Sequence, residues 1–355
     1  MTLKWKLAPR PKDDELLSSF LTRVAHAHGI GAYRFFSYHL PHTSIWNRDI
    51  DRSVSDSTLL QIALLSGHAI ERLQDMTLRC YTTFSDANLD QCSGKKVEAI
   101  SPWINSIGIY HTTRRRYGLQ YCPACLVDDP FFKKAWRLSF VTICSQHNCY
   151  LLDACPSCDA PIAPHRNHVS HLNCHICQRS FINSRLPNID IDVDKELQVL
   201  QNFYLQGYSS TIPINAEFDD LLIGTHKLLS ILRKRRNHYR GSDILLNAGE
   251  APIELLRHDS RSKVINFLYE LLSFWPDSFR QLTNEVGLNQ RHAIGYCNPQ
   301  WVQAELNMLP LGKPKKKIHK AITVFTDLRS NQRQKPNGWR TKRAELLLKS
   351  IKSEL

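Results

Sequence analysis

Apolar residues recur at helical spacing in two separate parts of the chain. Between residues 13 and 28, Leu16, Leu17, Phe20, Leu21 and Val24 fall on one face, which predicts a helix capped by Asp13 or Asp14 and ended at Gly29. Leu59 to Leu78 predicts a helix-turn-helix-like pair. Ala63 permits close approach, Gly67 makes the turn, and Ile62, Leu73 and Met76 lock the two helices. Its second helix carries Glu71 and Asp75 around Arg72, a poor complement to phosphate, so packing or protein docking is favoured over reading a major groove. In the second half, Phe218, Leu221, Leu222, Leu229 and Leu232 define one helical face. Val264, Ile265, Leu268, Leu271, Leu272 and Trp275 define another, stopped by Pro276. Asp277 then caps a short helix with Phe279, Leu282 and Val286, closed by Gly287, and Asn298-Pro299 starts a further one with Pro at its first turn.

The stretch between these two regions has no helical period and is punctuated by cysteine. Eight of the eleven cysteines lie between 122 and 177. Cys122 and Cys125 form a CxxC, Cys144 and His147 a CxxH, and Cys155 with Cys158 and Cys174 with Cys177 two more CxxC pairs. A CxxC turn aims two sulfurs at one point about 2.3 Å away, and two such knuckles complete a tetrahedron around zinc. The spacing therefore predicts two adjoining closed sites, one from Cys122, Cys125, Cys144 and His147 and one from Cys155, Cys158, Cys174 and Cys177. Four protein ligands at each leave no open position, so both zinc ions are expected to be structural. Cys149 is left over, as a small buried hydrophobe or a substitute for a neighbouring ligand. His171, three residues before Cys174, leaves an HxxC alternative for the second site. Cys80, Cys92 and Cys297 have no partner at metal spacing.

The predicted fold class is thus mainly α in four parts. An N-terminal helix-turn-helix-like domain spans 1–118, a tandem zinc-ribbon module 119–185, a C-terminal helical domain 186–310 and a basic tail 311–355. The run Asp190-Ile191-Asp192-Val193-Asp194 reads as a boundary.

Charge sharpens the picture at one end. The net charge is +13, and residues 311–355 hold 13 basic and 3 acidic side chains, whereas 186–310 is slightly acidic. A localised basic excess suggests a polyanion, nucleic acid first, with a solvated tail as the plain alternative. The candidate contacts are Arg114, Arg115 and Arg116 before the first knuckle, and Lys315, Lys316, Lys317, Arg333, Lys335, Arg340, Lys342 and Arg343 in the tail. Trp339 among the last of these can stack on a base or anchor the tail. No apolar run is long enough for a membrane span and no leader peptide is apparent. A cytoplasmic prokaryotic protein, nucleoid-associated when active, is expected, its thiols kept reduced or bound to metal. A phosphate-binding P-loop, GxSxG and HExxH are all missing, so an enzyme is not expected and no catalytic residue is assigned.

"APRPKDDELLSSFLTRVAHAHG" (8–29) and "YCPACLVDDPFFKKAWRLSFVTICSQHNCYLLDACPSCDAPI" (121–162) resemble the TniQ/TnsD family of transposon target-selection proteins. The shared order is YCPxCL, an aromatic spacer containing Trp136, CxxH, LL and CPxC. The resemblance implies a non-catalytic adaptor that chooses the insertion site and engages an AAA+ transposition ATPase. Some relatives bind their own DNA site. Others dock, often as dimers, on a CRISPR RNA-guided effector, and the shortness of this chain favours that type. The alternative is a self-sufficient, sequence-specific zinc-containing DNA-binding protein. An unrecognised zinc enzyme stands third and would need a water ligand on zinc.

Overall fold

The structure, a computed structural model, describes residues 4–81, 101–110, 113–185, 195–206, 212–233, 251–293 and 298–312. Five helices open the chain: α1 (Leu17–Ala27), α2 (Ala32–His39), α3 (Ile50–Ser53), α4 (Asp56–Ser66) and α5 (Ile70–Asp75). α6 (Pro123–Asp128) sits in the cysteine-rich stretch. α7 (Lys195–Gln206), α8 (Phe218–Arg233), α9 (His258–Ser273), α10 (Asp277–Val286) and α11 (Gln300–Met308) follow. Strands are minimal among the described residues. β1 (Ile109–Tyr110) pairs antiparallel with β2 (Thr113–Arg114), and β3 (Ile143–Cys144) with β4 (Cys149–Tyr150). The chain is therefore mainly helical, as its periodicity predicts.

The first helix starts later than its polar flank suggests. Asp14 adopts φ 57°, and neither it nor Asp13 caps α1, whose N-cap is Leu16. Glu15 instead forms an antiparallel bridge with Lys133, and the Leu16 N–H donates to the Phe132 carbonyl at 2.9 Å. This segment is spent on joining the N-terminal helices to the loop between the first two knuckles. Gly29, at φ 70°, closes α1 in the left-handed conformation that glycine adopts without a Cβ penalty. Gly67, at φ 76°, likewise closes α4 and turns the chain toward α5. Leu59, Ile62, Leu73 and Met76 are buried around that turn, together with Trp5, Phe20, Phe36 and Trp46.

A second, larger core runs from Trp103 through the cysteine-rich stretch to Val302 and Leu306. Leu200, Phe203 and Tyr204 of α7 pack in it with Leu268 and Leu272 of α9. Buried apolar residues thus run across positions 118 and 185, and residues 1–311 form one compact unit. α8 and α11 approach so closely that a Cβ on Gly224 would lie 2.4 Å from the Trp301 ring. α10 begins at Asp277 with Pro276 as N-cap, so Asp277 occupies the first turn without capping, and Gly287 (φ 63°) ends it as the sequence suggests. Pro299 is likewise the N-cap of α11 rather than a residue of its first turn.

Candidate metal centre

The first site is assembled from a helix start and a hairpin. Cys122 is the N-cap of α6, and its sulfur accepts the Cys125 N–H at 3.5 Å, which folds the CxxC into a knuckle. Across from it, β3 and β4 form a hairpin with Cys144 directly opposite Cys149. Asn148, at φ 45°, completes the turn that swings His147 over the sulfurs. His147 Nδ1 lies 3.5 Å from Cys122 Sγ, 3.2 Å from Cys125 Sγ and 3.6 Å from Cys144 Sγ, and the Cys125 and Cys144 sulfurs are 3.5 Å apart. A tetrahedron with metal–sulfur bonds of about 2.3 Å and a metal–nitrogen bond of about 2.0 Å has edges of about 3.5–3.8 Å. The side chains are therefore already arranged as the corners of a metal-binding tetrahedron.

His147 is also oriented from behind. Its Nε2 lies 3.0 Å from Asp128 Oδ2 at the end of α6, and the Gln146 amide donates to the same carboxylate at 3.4 Å. A carboxylate on the far ring nitrogen fixes the tautomer that leaves Nδ1 free for a metal and raises its basicity. The neighbouring thiols and backbone lower Cys122 to about 6 and push Cys144 lower still, while Cys125 is raised by the same crowding. Sulfurs packed this tightly repel one another as thiolates, and a divalent cation at their centre relieves that repulsion.

The second site repeats one turn twice. The Cys155 N–H donates to Ala160 O at 2.9 Å, and the Cys174 N–H to Arg179 O at 2.8 Å. Asp159 (φ 53°) and Gln178 (φ 62°) take the left-handed position just after the second cysteine of each knuckle. Cys155 Sγ lies 3.6 Å from Cys177 Sγ, and Cys158 Sγ 3.6 Å from Cys174 Sγ. The Asn167 amide donates to the carbonyls of Asn173 and Cys174 and to Gln178 Oε1, holding the second knuckle from one side. Burial pushes Cys174 up to about 12, whereas the Arg179 backbone N–H holds half-exposed Cys177 down at about 7. His171 turns away: its Nε2 contacts Pro130 O at 2.8 Å and its ring lies 5.5 Å from that of His26. The HxxC alternative is thus not adopted.

Both predicted quartets come together, and each can hold a metal ion. The chemistry of the donors, three thiols with an imidazole and four thiols, fits zinc. Asp128 is the residue that spacing rules missed, because an orienting carboxylate has no fixed sequence offset from the histidine it serves.

The arginine run divides. Arg114 is buried, with its guanidinium donating to Ile162 O at 2.9 Å, and burial, reinforced by nearby Arg137, lowers it to about 10. It is therefore corrected from a candidate nucleic-acid contact to an internal tie, while Arg115 and Arg116 lie at the surface. Lys315, Lys316, Lys317, Arg333, Lys335, Arg340, Lys342 and Arg343 fall outside the described residues, as do Cys92 and Cys297. Cys80 is exposed. Among the described residues no helix is long and apolar enough to cross a membrane.

A buried charge cluster ties this centre to the N-terminal helices. Arg137, fully buried in the spacer between the first two knuckles, donates to Asp49 Oδ2 at 2.6 Å, Asp51 Oδ2 at 3.3 Å and Asn105 O at 2.9 Å. Asp51 in turn accepts from the Ser18 N–H at 2.7 Å. On the other side, Arg261 of α9 reaches Asn105 Oδ1 and Gln120 Oε1 at 3.0 and 2.8 Å. Nothing in the sequence pattern marks these partners, which lie about 90 and 150 positions apart.

No curated protein matches the chain. Residues 6–151 match the family model TniQ, a stretch that contains α1 to α6, all four donors of the first site, Asp128 and the Arg137 cluster. Over those residues, about two fifths of its length, the chain is similar to the TniQ family.

Proposed function

We propose that this chain links a target-recognition complex to an AAA+ transposition ATPase and performs no chemistry of its own. The observation that carries the reading is the TniQ match over residues 6–151, laid over a compact body whose cysteine clusters are closed rather than open. Cys122, Cys125, Cys144 and His147 would hold one zinc, and Cys155, Cys158, Cys174 and Cys177 another. Bound zinc supplies cross-linking, with no coordination position left for a substrate. The chain's own residues do the rest. Asp128 orients His147, and Arg137 and Arg261 couple the metal region to helices on both sides. A body stiffened in this way presents two surfaces at a fixed separation, which is what an adaptor between two large assemblies needs.

A CRISPR RNA-guided effector is the favoured recognition complex, with sequence reading left to the guide. The exposed Arg115 and Arg116 and the basic residues of 311–355 would add sequence-independent phosphate contacts that weaken as salt rises. A self-sufficient DNA binder is the second reading, and the same basic excess supports it. Co-purification of the chain with an AAA+ transposition ATPase and an RNA-guided effector tests the first. The adaptor reading predicts retention of both and no footprint by the isolated chain. A sequence-specific footprint by the chain alone at physiological salt would instead establish the second.

A further inference from the structure

The first metal site has one donor more than it needs. Cys149 is buried, and its sulfur lies 3.6 Å from Cys122 Sγ, within the range expected for two ligands of one metal. It stands directly opposite Cys144 across the β3–β4 pair, so both side chains leave the hairpin on the same face. A cysteine used only as core filler would pack against carbon, and this one touches ligand sulfur.

The two candidates for the fourth position differ in setting. His147 sits at the rim, its side chain 21% exposed and backed by Asp128, which is 53% exposed. Cys149 sits inside, 1% exposed. Solvent or a docking partner can reach the imidazole without reaching the thiol.

We propose that Cys149 is a reserve ligand of the first site, taking the fourth position on the metal when His147 leaves it. In the exchange the metal–imidazole bond breaks and a metal–thiolate bond forms. The thiol proton passes to the released imidazole, which keeps its place beside Asp128, so charge and proton count balance without an oxidant. The metal, and with it the core built around Cys122, Cys125 and Cys144, stays in place while the exposed histidine is freed. The inference rests on the zinc reading of the site.

The test is zinc content and X-ray absorption of the full chain in four forms. Wild type, His147→Ala and Cys149→Ser are each expected to hold two zinc ions, and the His147→Ala/Cys149→Ser double variant one. In His147→Ala the first site should show four sulfur neighbours where the wild type shows three. Its zinc affinity should fall by about tenfold or less, against about a hundredfold or more for the double variant. Cys149→Ser, which keeps the full Cys3His set, controls for loss of folding through position 149. A single zinc in His147→Ala with two in the wild type would overturn the inference alone. So would two zinc ions in both His147→Ala and the double variant, with a light atom in the fourth position, because water would then be the substitute. Fewer than two in the wild type would remove the zinc reading and this inference together.

Discussion

The two cysteine clusters use the same knuckle and are set differently in the molecule. In the first, Cys122, Cys125 and Cys144 are buried within the large core, the histidine is backed by Asp128, and a further thiol adjoins. In the second, Cys155 and Cys174 are buried in the same core, but Cys158 is exposed and Cys177 half-exposed, and the knuckles are held by backbone turns plus Asn167. The three cysteines of the first site all lie in the core, whereas the second site lies half in the core and half at the surface. Equal ligand count therefore does not mean equal structural weight: what surrounds the sulfurs decides how much of the fold depends on them.

The largest expected effect follows directly. Cys125→Ser should cost the first-site zinc and destabilise residues 1–311 more than any other change considered, because structural zinc contributes about 10–16 kcal/mol to such sites and a domain of this kind is stable by only about 5–15 kcal/mol. Cys158→Ser should cost one zinc yet leave most of the helical circular dichroism and a cooperative melt. Equal loss of helix in both variants would erase the distinction between the sites.

Next comes the buried clamp between the first site's spacer and the N-terminal helices. Arg137→Met leaves Asp49 and Asp51 without their cation and should destabilise by about 3–5 kcal/mol in a denaturant titration. A smaller loss should follow Arg257→Met beside the second site, because Arg257 is half-exposed, its partner Asp159 is exposed, and buried Asp153 keeps the His258 N–H as a donor.

The pH response of that clamp has a definite sign. Burial works to raise Asp49, but the adjacent Arg137 guanidinium prevails and holds its carboxyl below the usual value. Its stabilisation is therefore complete above the unfolded value of about 3.9 and is lost as pH falls through the lower folded one. Asp51, raised by burial and by the Asp49 charge, acts in the opposite direction. Asp49→Asn should flatten the acid limb of stability below about pH 4; an unchanged limb would show that the pair does not bear on it.

A smaller effect probes orientation. Asp128→Asn should weaken zinc binding at the first site by about 10–100-fold in chelator competition and leave the second unaltered.

How much of this was legible in the sequence follows from the range of the forces involved. The zinc quartets could be read because a knuckle is a local turn, with both ligands three positions apart. Helices with a one-sided apolar stripe, such as α9 and α10, were legible for the same reason. The start of α1 was not: Asp13 and Asp14 look like caps, but pairing of Glu15 with Lys133, far along the chain, takes the segment into a bridge. Arg114 looked like part of a solvated run until Ile162 supplied its acceptor. Arg137 and its two aspartates were illegible because a buried ion pair is set by tertiary contact, with no periodic trace.

Whether two saturated metal cross-links hold the midsection is tested by elemental analysis of the purified chain paired with thiol alkylation under native conditions. The account predicts two zinc ions per chain, with the eight thiols of residues 122–177 unmodified until a chelator or denaturant is added. Well under two equivalents, with those thiols reacting freely in the native protein, would contradict it.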